Sequence, residues 1–158
     1  MDYPEGQANN TMGNAVNVTG RLSQEETKAL LQEVPSAYNT QINDVLLTAL
    51  VVSLGDWIGT ETVLIDLEGH GREELFADVD LSRTVGWFTS MFPVKLQLSS
   101  EDIGEALKSI KEQLRQIPER GIGYGILRYL SPDKNIRIQL AALPLSLIHI
   151  SEPTRHAS

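Results

Sequence analysis

Cysteine is absent from the 158 residues, which excludes a disulfide framework, a thiolate nucleophile and a zinc–thiolate site. Basic residues are scarce too: 13 lysines and arginines stand against 21 acids, for a net charge of -8. That balance argues against nucleic acid and against anionic membranes as partners. No apolar run approaches the ~18–20 residues that a membrane-spanning helix needs. The opening residues, Met1 to Gly6, lack a basic start followed by an apolar core, so no secretory signal is read there and a cytoplasmic location is expected. Asn9-Asn10-Thr11 and Asn17-Val18-Thr19 fit the glycosylation pattern, and without a secretory route they are read as chance. Of three histidines, two fall in a tail set aside below. One remaining histidine, His70, makes no metal site, and no directly bound cofactor is expected.

What is present is enough apolar residue, 41%, for a sizeable core. Val63-Leu64-Ile65-Asp66-Leu67 reads as a buried strand, and Glu68-Gly69-His70-Gly71-Arg72-Glu73 follows it as a glycine-rich turn. A carboxylate at the end of a core strand can be held rigidly and partly out of water, as proton transfer requires. By spacing alone the same stretch also fits a plain strand-to-loop turn with solvated charges. Glu73, Glu74, Asp78 and Asp80 read mostly as solvated surface. Arg83, shortly after those acids, is expected to pair with Glu68 or Glu73 and fix the loop.

Around that turn, Asp2 to Gly13 reads as loop, and Ala15 to Leu22 alternates as a half-exposed strand. Ser23 and Glu26 form a capping box that opens a helix to about Val34, stopped by Pro35. Ile42 to Ile58 is an apolar helix with Asn43 and Asp44 in its first turn, expected to be buried all round. Trp87 and Phe88 are more often core than substrate contacts. From Pro93 the chain alternates as a strand, with proline at its start. An amphipathic helix follows from Ser99 and carries Ile103, Ala106, Leu107, Ile110, Leu114 and Ile117 until Pro118 ends it. Gly121 to Gly125 follows a helix rather than a strand, so it is no dinucleotide loop. It leads into a short helix, Ile126 to Leu130.

Three stretches then stand in order: Glu68 to Glu73; Arg83-Thr84-Val85-Gly86-Trp87-Phe88-Thr89 with Phe92-Pro93; and Pro118-Glu119-Arg120-Gly121-Ile122-Gly123-Tyr124-Gly125. Together they closely resemble the EGHGRE, RTVGWFT and P-x-x-G-x-GYG motifs of the epimerization domains of nonribosomal peptide synthetases, in the condensation-domain superfamily. Asp44 to Ala49 also resembles that family's D-x-x-L-x-A motif, with Val51 where glycine is usual, and reads as core. The resemblance covers about Asp2 to Leu143. It implies an α/β fold: a mixed β-sheet covered by helices, the second lobe of a chloramphenicol acetyltransferase-like pair with a tunnel between the lobes. It implies inversion of the Cα stereocentre of an aminoacyl or peptidyl thioester carried on the phosphopantetheine arm of a peptidyl carrier protein, beside neighbouring synthetase domains. By the same resemblance Glu68 is the catalytic acid or base. Gly69, His70, Gly71, Arg72, Glu73, Arg83, Gly86, Trp87, Phe88, Thr89 and Tyr124 line or support the tunnel. The family's histidine partner lies in an H-H-x-x-x-D-G motif of the first lobe, and no such motif occurs here.

The last residues, 145–158, follow no helix or strand logic and resemble translated sequencing adapter, so the expected division is a partial domain over 1–144 and a non-native tail over 145–158. The partial domain is expected to be most of the second lobe, incomplete at both ends and inactive without its N-terminal lobe. Two alternatives stay open: a peptide-bond-forming condensation domain, which usually lacks EGHGRE and carries Asn-Thr where Phe88-Thr89 stand, and a non-catalytic remnant that docks a carrier protein.

Overall fold

A computed structural model describes Gly13, residues 16–73 and residues 75–142. The loop expected over residues 2–12, Glu74 and the tail 145–158 lie outside the described residues. The elements run α1 (Gln24–Lys28), a π-helical turn (Ala29–Glu33), α2 (Val34–Tyr38), α3 (Ile42–Ile58), β1 (Thr62–Gly69), β2 (Ser90–Gln97) and α4 (Ile103–Arg115). A 3-10 turn (Pro118–Gly121), α5 (Gly123–Gly125), a second π-helical turn (Ile126–Leu130) and α6 (Lys134–Ala141) complete the order.

Among the described residues the sheet has two antiparallel strands, in register from Thr62 opposite Gln97 to Gly69 opposite Ser90. Alternation gives it one apolar face, Val63, Ile65 and Leu67 opposite Leu96, Val94 and Phe92. Helices α3 and α4 cover that face. Leu47 and Val51 come from α3 and Ile110 from α4, and all three join the buried cluster around Ile65, Val94 and Leu96. Each fully buried aliphatic side chain stabilises by about 1.5–3 kcal/mol relative to exposure, and four of them, Val51, Ile65, Leu96 and Ile110, are buried completely. The end of the sheet is tied to α4 by one side chain. Gln113 Nε2 donates to the Gln97 carbonyl at 2.8 Å, and its Oε1 accepts from the Gln97 amide at 2.9 Å. The Gln113 amide thus serves Gln97 as a further strand would.

Local chemistry sets the ends of the helices. Ser23 and Glu26 close the expected capping box, with the Ser23 amide donating to Glu26 at 2.7 Å. Asp44 accepts from the Gln41 amide at 2.7 Å to start α3, and Gly59, at φ 74°, ends it in the left-handed conformation. Asp102 caps α4 by accepting from the Glu105 amide at 2.9 Å.

Several expectations are corrected. Val16, Val18 and Leu22 are exposed and belong to no strand, because no neighbouring strand among the described residues offers them a ladder. Pro35 does not stop the first helix; the helical path continues to Tyr38 and ends at left-handed Asn39. The widened π-turn before Pro35 lets the Val34 amide reach the Ala29 carbonyl, relieving the backbone where a proline ring would clash. Helix α3 is buried on one face only: Leu46 is 37% and Trp57 68% exposed. Its apolar far side has no cover among the described residues. Strand β1 continues through Glu68 and Gly69, and β2 begins at Ser90, so Pro93 sits inside it. A two-stranded sheet leaves each strand one free edge, which tolerates a missing amide. Helix α4 starts later than expected, at Ile103, which is exposed, and ends at Arg115, while Pro118 opens the next turn.

Candidate functional site

Glu68 and Gly69 are the last two residues of β1, opposite Met91 and Ser90. The following turn is held by its own side chains. His70 Nδ1 accepts from the Arg72 amide at 2.9 Å, which leaves Nε2 to carry the ring hydrogen, 3.3 Å from Glu73 Oε1. The other Glu73 oxygen is 3.6 Å from an Arg120 guanidinium nitrogen. Glu73 thereby links the first motif to the third.

Gly71 takes φ 64°, and a Cβ there would lie 1.6 Å from the Phe88 carbonyl oxygen. Only glycine fits such a crossing. Arg72 reaches across the same gap. Its guanidinium donates to the Leu81 carbonyl at 2.8 Å and to the Gly86 carbonyl at 3.4 Å, and stacks 4.4 Å from the Phe88 ring centre. The planar fork and the cation–π contact together close residues 72–88 into one loop. Arg72, not Arg83, fixes this loop. Arg83 lies exposed in the turn that the Thr84 amide closes onto the Leu81 carbonyl. Among the described residues it forms no ion pair, and Glu73 is already engaged by His70 and Arg120. Trp87 is not core either: it is 91% exposed, because the loop turns it away from the sheet, whereas Phe88 is half-buried beneath Arg72.

Two cavities flank this region, and Phe92 borders both. One, of about 370 Å³, is bordered by Glu68, Gly69, His70, Glu73 and Arg120, with Asn43 at the start of α3. The other, of about 450 Å³, takes in Asp66, Thr89, Tyr124 and Arg128. The expected site residues therefore divide. Glu68, Gly69, His70 and Glu73 share the first cavity and Thr89 and Tyr124 the second, while Gly71, Arg72, Arg83, Gly86, Trp87 and Phe88 border neither. Tyr124 is a brace. Its hydroxyl accepts from Arg128 at 3.1 Å and donates to the Leu140 carbonyl at 3.4 Å.

Asp66, Arg120 and Arg128 were not foreseen. Asp66 is 4% exposed, and its Oδ2 has no hydrogen-bond partner among the described residues. Burial pushes its carboxyl above the usual aspartate range, and the nearby Arg128 charge pulls the other way. The one sign in the sequence was an acid inside an otherwise apolar strand. Glu119 and Arg120 both adopt left-handed φ, 45° and 48°, which is costly for residues with a Cβ. Gly121 follows at φ 79°, with the Phe92 ring 2.2 Å from where a Cβ would stand. This strained turn places Arg120 beside Glu73.

Comparison with known proteins agrees with this layout. The family described as Condensation domain matches residues 2–141. A linear gramicidin synthase polypeptide of Brevibacillus parabrevis is 57% identical over 141 residues, 87% of this chain and 3% of that protein. The solved epimerization domain from the third module of tyrocidine synthetase B is 47% identical, with a TM-score of 0.66 over 72% of this chain and 25% of that one. The first condensation domain of the calcium-dependent antibiotic synthetase, at 17% identity and a TM-score of 0.53, covers 67% of this chain and 25% of its own, and shares the fold. The chain thus spans a small part of the synthetase and about a quarter of the solved domain. With its motifs folded around one strand end and its match running nearly from end to end, the chain belongs to the condensation domain family of the nonribosomal peptide synthetases.

Proposed function

We propose that this chain supplies one half of the acid–base pair of an epimerization domain. The observation that carries the reading is Glu68. It is a carboxylate near the end of a packed strand, borders a cavity, and opens a turn braced by the His70–Glu73–Arg120 contacts. The 47% identity to a solved epimerization domain supports the same choice over peptide-bond formation.

The substrate is an aminoacyl or peptidyl thioester on the phosphopantetheine arm of a carrier protein. Its thioester carbonyl acidifies the α-hydrogen. A base takes that proton and leaves a planar enolate; an acid then returns a proton to the opposite face, and the sum inverts Cα without net gain or loss of atoms. Glu68 performs one of these transfers, and the other belongs to a group outside this chain. The exposed row Ile126, Leu127, Tyr129 and Leu130 is apolar surface of the kind that a first lobe would cover.

Glu68→Gln, made in the full-length synthetase, keeps the size of the side chain and removes its titratable proton. Exchange of the substrate α-hydrogen with deuterated solvent should fall by at least about 10²-fold. Loading of the carrier protein should be unchanged. Glu73→Gln serves as control and should act through loop stability. Wild-type exchange in Glu68→Gln would overturn the assignment, and peptide-bond formation without any α-exchange in the wild type would favour condensation instead.

A further inference from the structure

The cavity that Glu68 borders holds an imbalance of charge. Around it stand Glu68, His70 and Glu73 from β1 and its turn, Asp44 from α3, Arg115 from α4, and Arg120. Three of these are engaged locally. Asp44 accepts from the Gln41 amide at the start of α3, and Arg115 donates to the Asn39 carbonyl and pairs with Glu112. His70, whose Nδ1 accepts from the Arg72 amide, brings Glu73 a hydrogen and not a charge. That leaves two carboxylates, Glu68 and Glu73, and one cation, Arg120.

Glu73 is the enclosed member of its ion pair. Its side chain is 16% exposed against 72% for Arg120, and a carboxylate so far withdrawn from water needs a cation beside it. Arg120 reaches it through a strained turn. Glu119 and Arg120 hold φ of 45° and 48° ahead of Gly121 at 79°. The Phe92 ring accounts for Gly121, because it occupies the place of a Cβ there. It asks nothing of the side chain at 120. Left-handed strain in a residue that lines a cavity points to a role in that cavity.

We propose that Arg120 is a positioning residue for the proton transfer: it holds the Glu73 carboxylate as its ion partner and keeps that charge from acting on Glu68 across the cavity. The inference rests on the proposed epimerization reading and adds to it a residue of the third motif. A sphere of the cavity's volume is about 9 Å across, a span over which one unit charge in a partly wet site moves a neighbouring titration by about one pH unit. Glu68 must be ionised to take the α-hydrogen and protonated to return one, so exchange plotted against pH has a limb that belongs to Glu68. An uncompensated Glu73 favours the protonated form of its neighbour. In either role, that limb then lies at higher pH.

The test uses the full-length synthetase, with its carrier already loaded with its own aminoacyl thioester. Exchange of the α-hydrogen with deuterated solvent is followed across pH at low salt, where screening is least. Arg120→Gln should move the Glu68 limb up by about one pH unit. Arg120→Lys keeps the charge and should leave the limb in place. The double variant Arg120→Gln/Glu73→Gln should return the limb to its wild-type position, whatever the height of the profile, because the charge to be compensated is gone. A brace with no electrostatic part gives another pattern: rates fall at every pH, the limbs stay, and the second substitution deepens the loss. An unmoved limb in Arg120→Gln, an equal movement in Arg120→Lys, or a shift that survives in the double variant would overturn the proposal. Glu68→Gln keeps the two ideas apart. Lost exchange there, with an unmoved limb in Arg120→Gln, leaves Glu68 standing and removes the role of Arg120. Undiminished exchange there removes the acid–base assignment itself, and Arg120 then has nothing to act on.

Discussion

Strand β1 and the loop that leaves it are held together by different means. The strand is fixed by area. Val63 and Ile65 are buried against α3, α4 and β2, and many weak contacts share the work. The loop over residues 70–89 is fixed at points. Val85 is 99% exposed and Phe76 63%, so little apolar area holds it. Its shape depends on Gly71 passing under Phe88, on the Arg72 fork and on the Glu73 contacts. Glu68 stands where the two regimes meet. A carboxylate there takes its rigidity from the strand, and the loop beside it can vary without loosening the core.

That contrast can be broken from either side. The largest effect is expected in the core. Ile110→Ala, at a fully buried position, should cost about 2–5 kcal/mol in urea unfolding. Trp87→Ala, at a 91% exposed one, should stay within about 0.5 kcal/mol. Similar losses for both would mean that the loop is packed after all. A middling effect is expected at the crossing. Gly71→Ala forces a left-handed alanine, which costs about 1–2 kcal/mol, against the Phe88 carbonyl. Its sign is local: limited proteolysis should quicken within 75–89 well before the amides of β1 lose hydrogen-exchange protection. Synchronous loss would show strand and loop to be one cooperative unit.

The smallest effect concerns pH. Burial raises the Asp66 carboxyl above its ordinary range, so the folded chain holds that proton more tightly than the unfolded one. Wild-type stability should therefore fall as pH rises from the ordinary aspartate value through the raised one. Asp66→Asn lacks that proton, and its stability relative to wild type should grow across the same window, as read from urea midpoints at about pH 3.5 and about pH 7. A difference that does not vary with pH would place Asp66 in contact with solvent.

Much of this was legible in the sequence where neighbours along the chain decide the outcome. The Ser23–Glu26 box, the apolar run of α3, the 3.6-residue spacing of Ala106, Leu107 and Ile110, and the run that became β1 all formed. What failed depends on distant cover. Among the described residues the strand read over Ala15 to Leu22 had no partner, α3 kept an exposed apolar side, and Trp87 went outward. Pro35 misled because a π-turn, invisible in residue type, absorbed it. At the site, the glycine turn that ends β1 was legible from residue type, whereas Glu68 was singled out within it only by the family resemblance. Asp66 was not foreseen, since the cavity it borders is shared with residues 122–130, far along the chain.

The Phe92 ring has a further meaning. A Cβ at Gly69 would meet it at 3.6 Å, and one at Gly121 at 2.2 Å. The ring comes from the second motif, and the two glycines from the first and third. Along the chain these are three signatures separated by tens of residues; in space two glycines lie against the one ring. Positions 92 and 121 are therefore bound to each other, since the ring occupies the place of a side chain at 121, while at 69 the same ring is an ordinary neighbour.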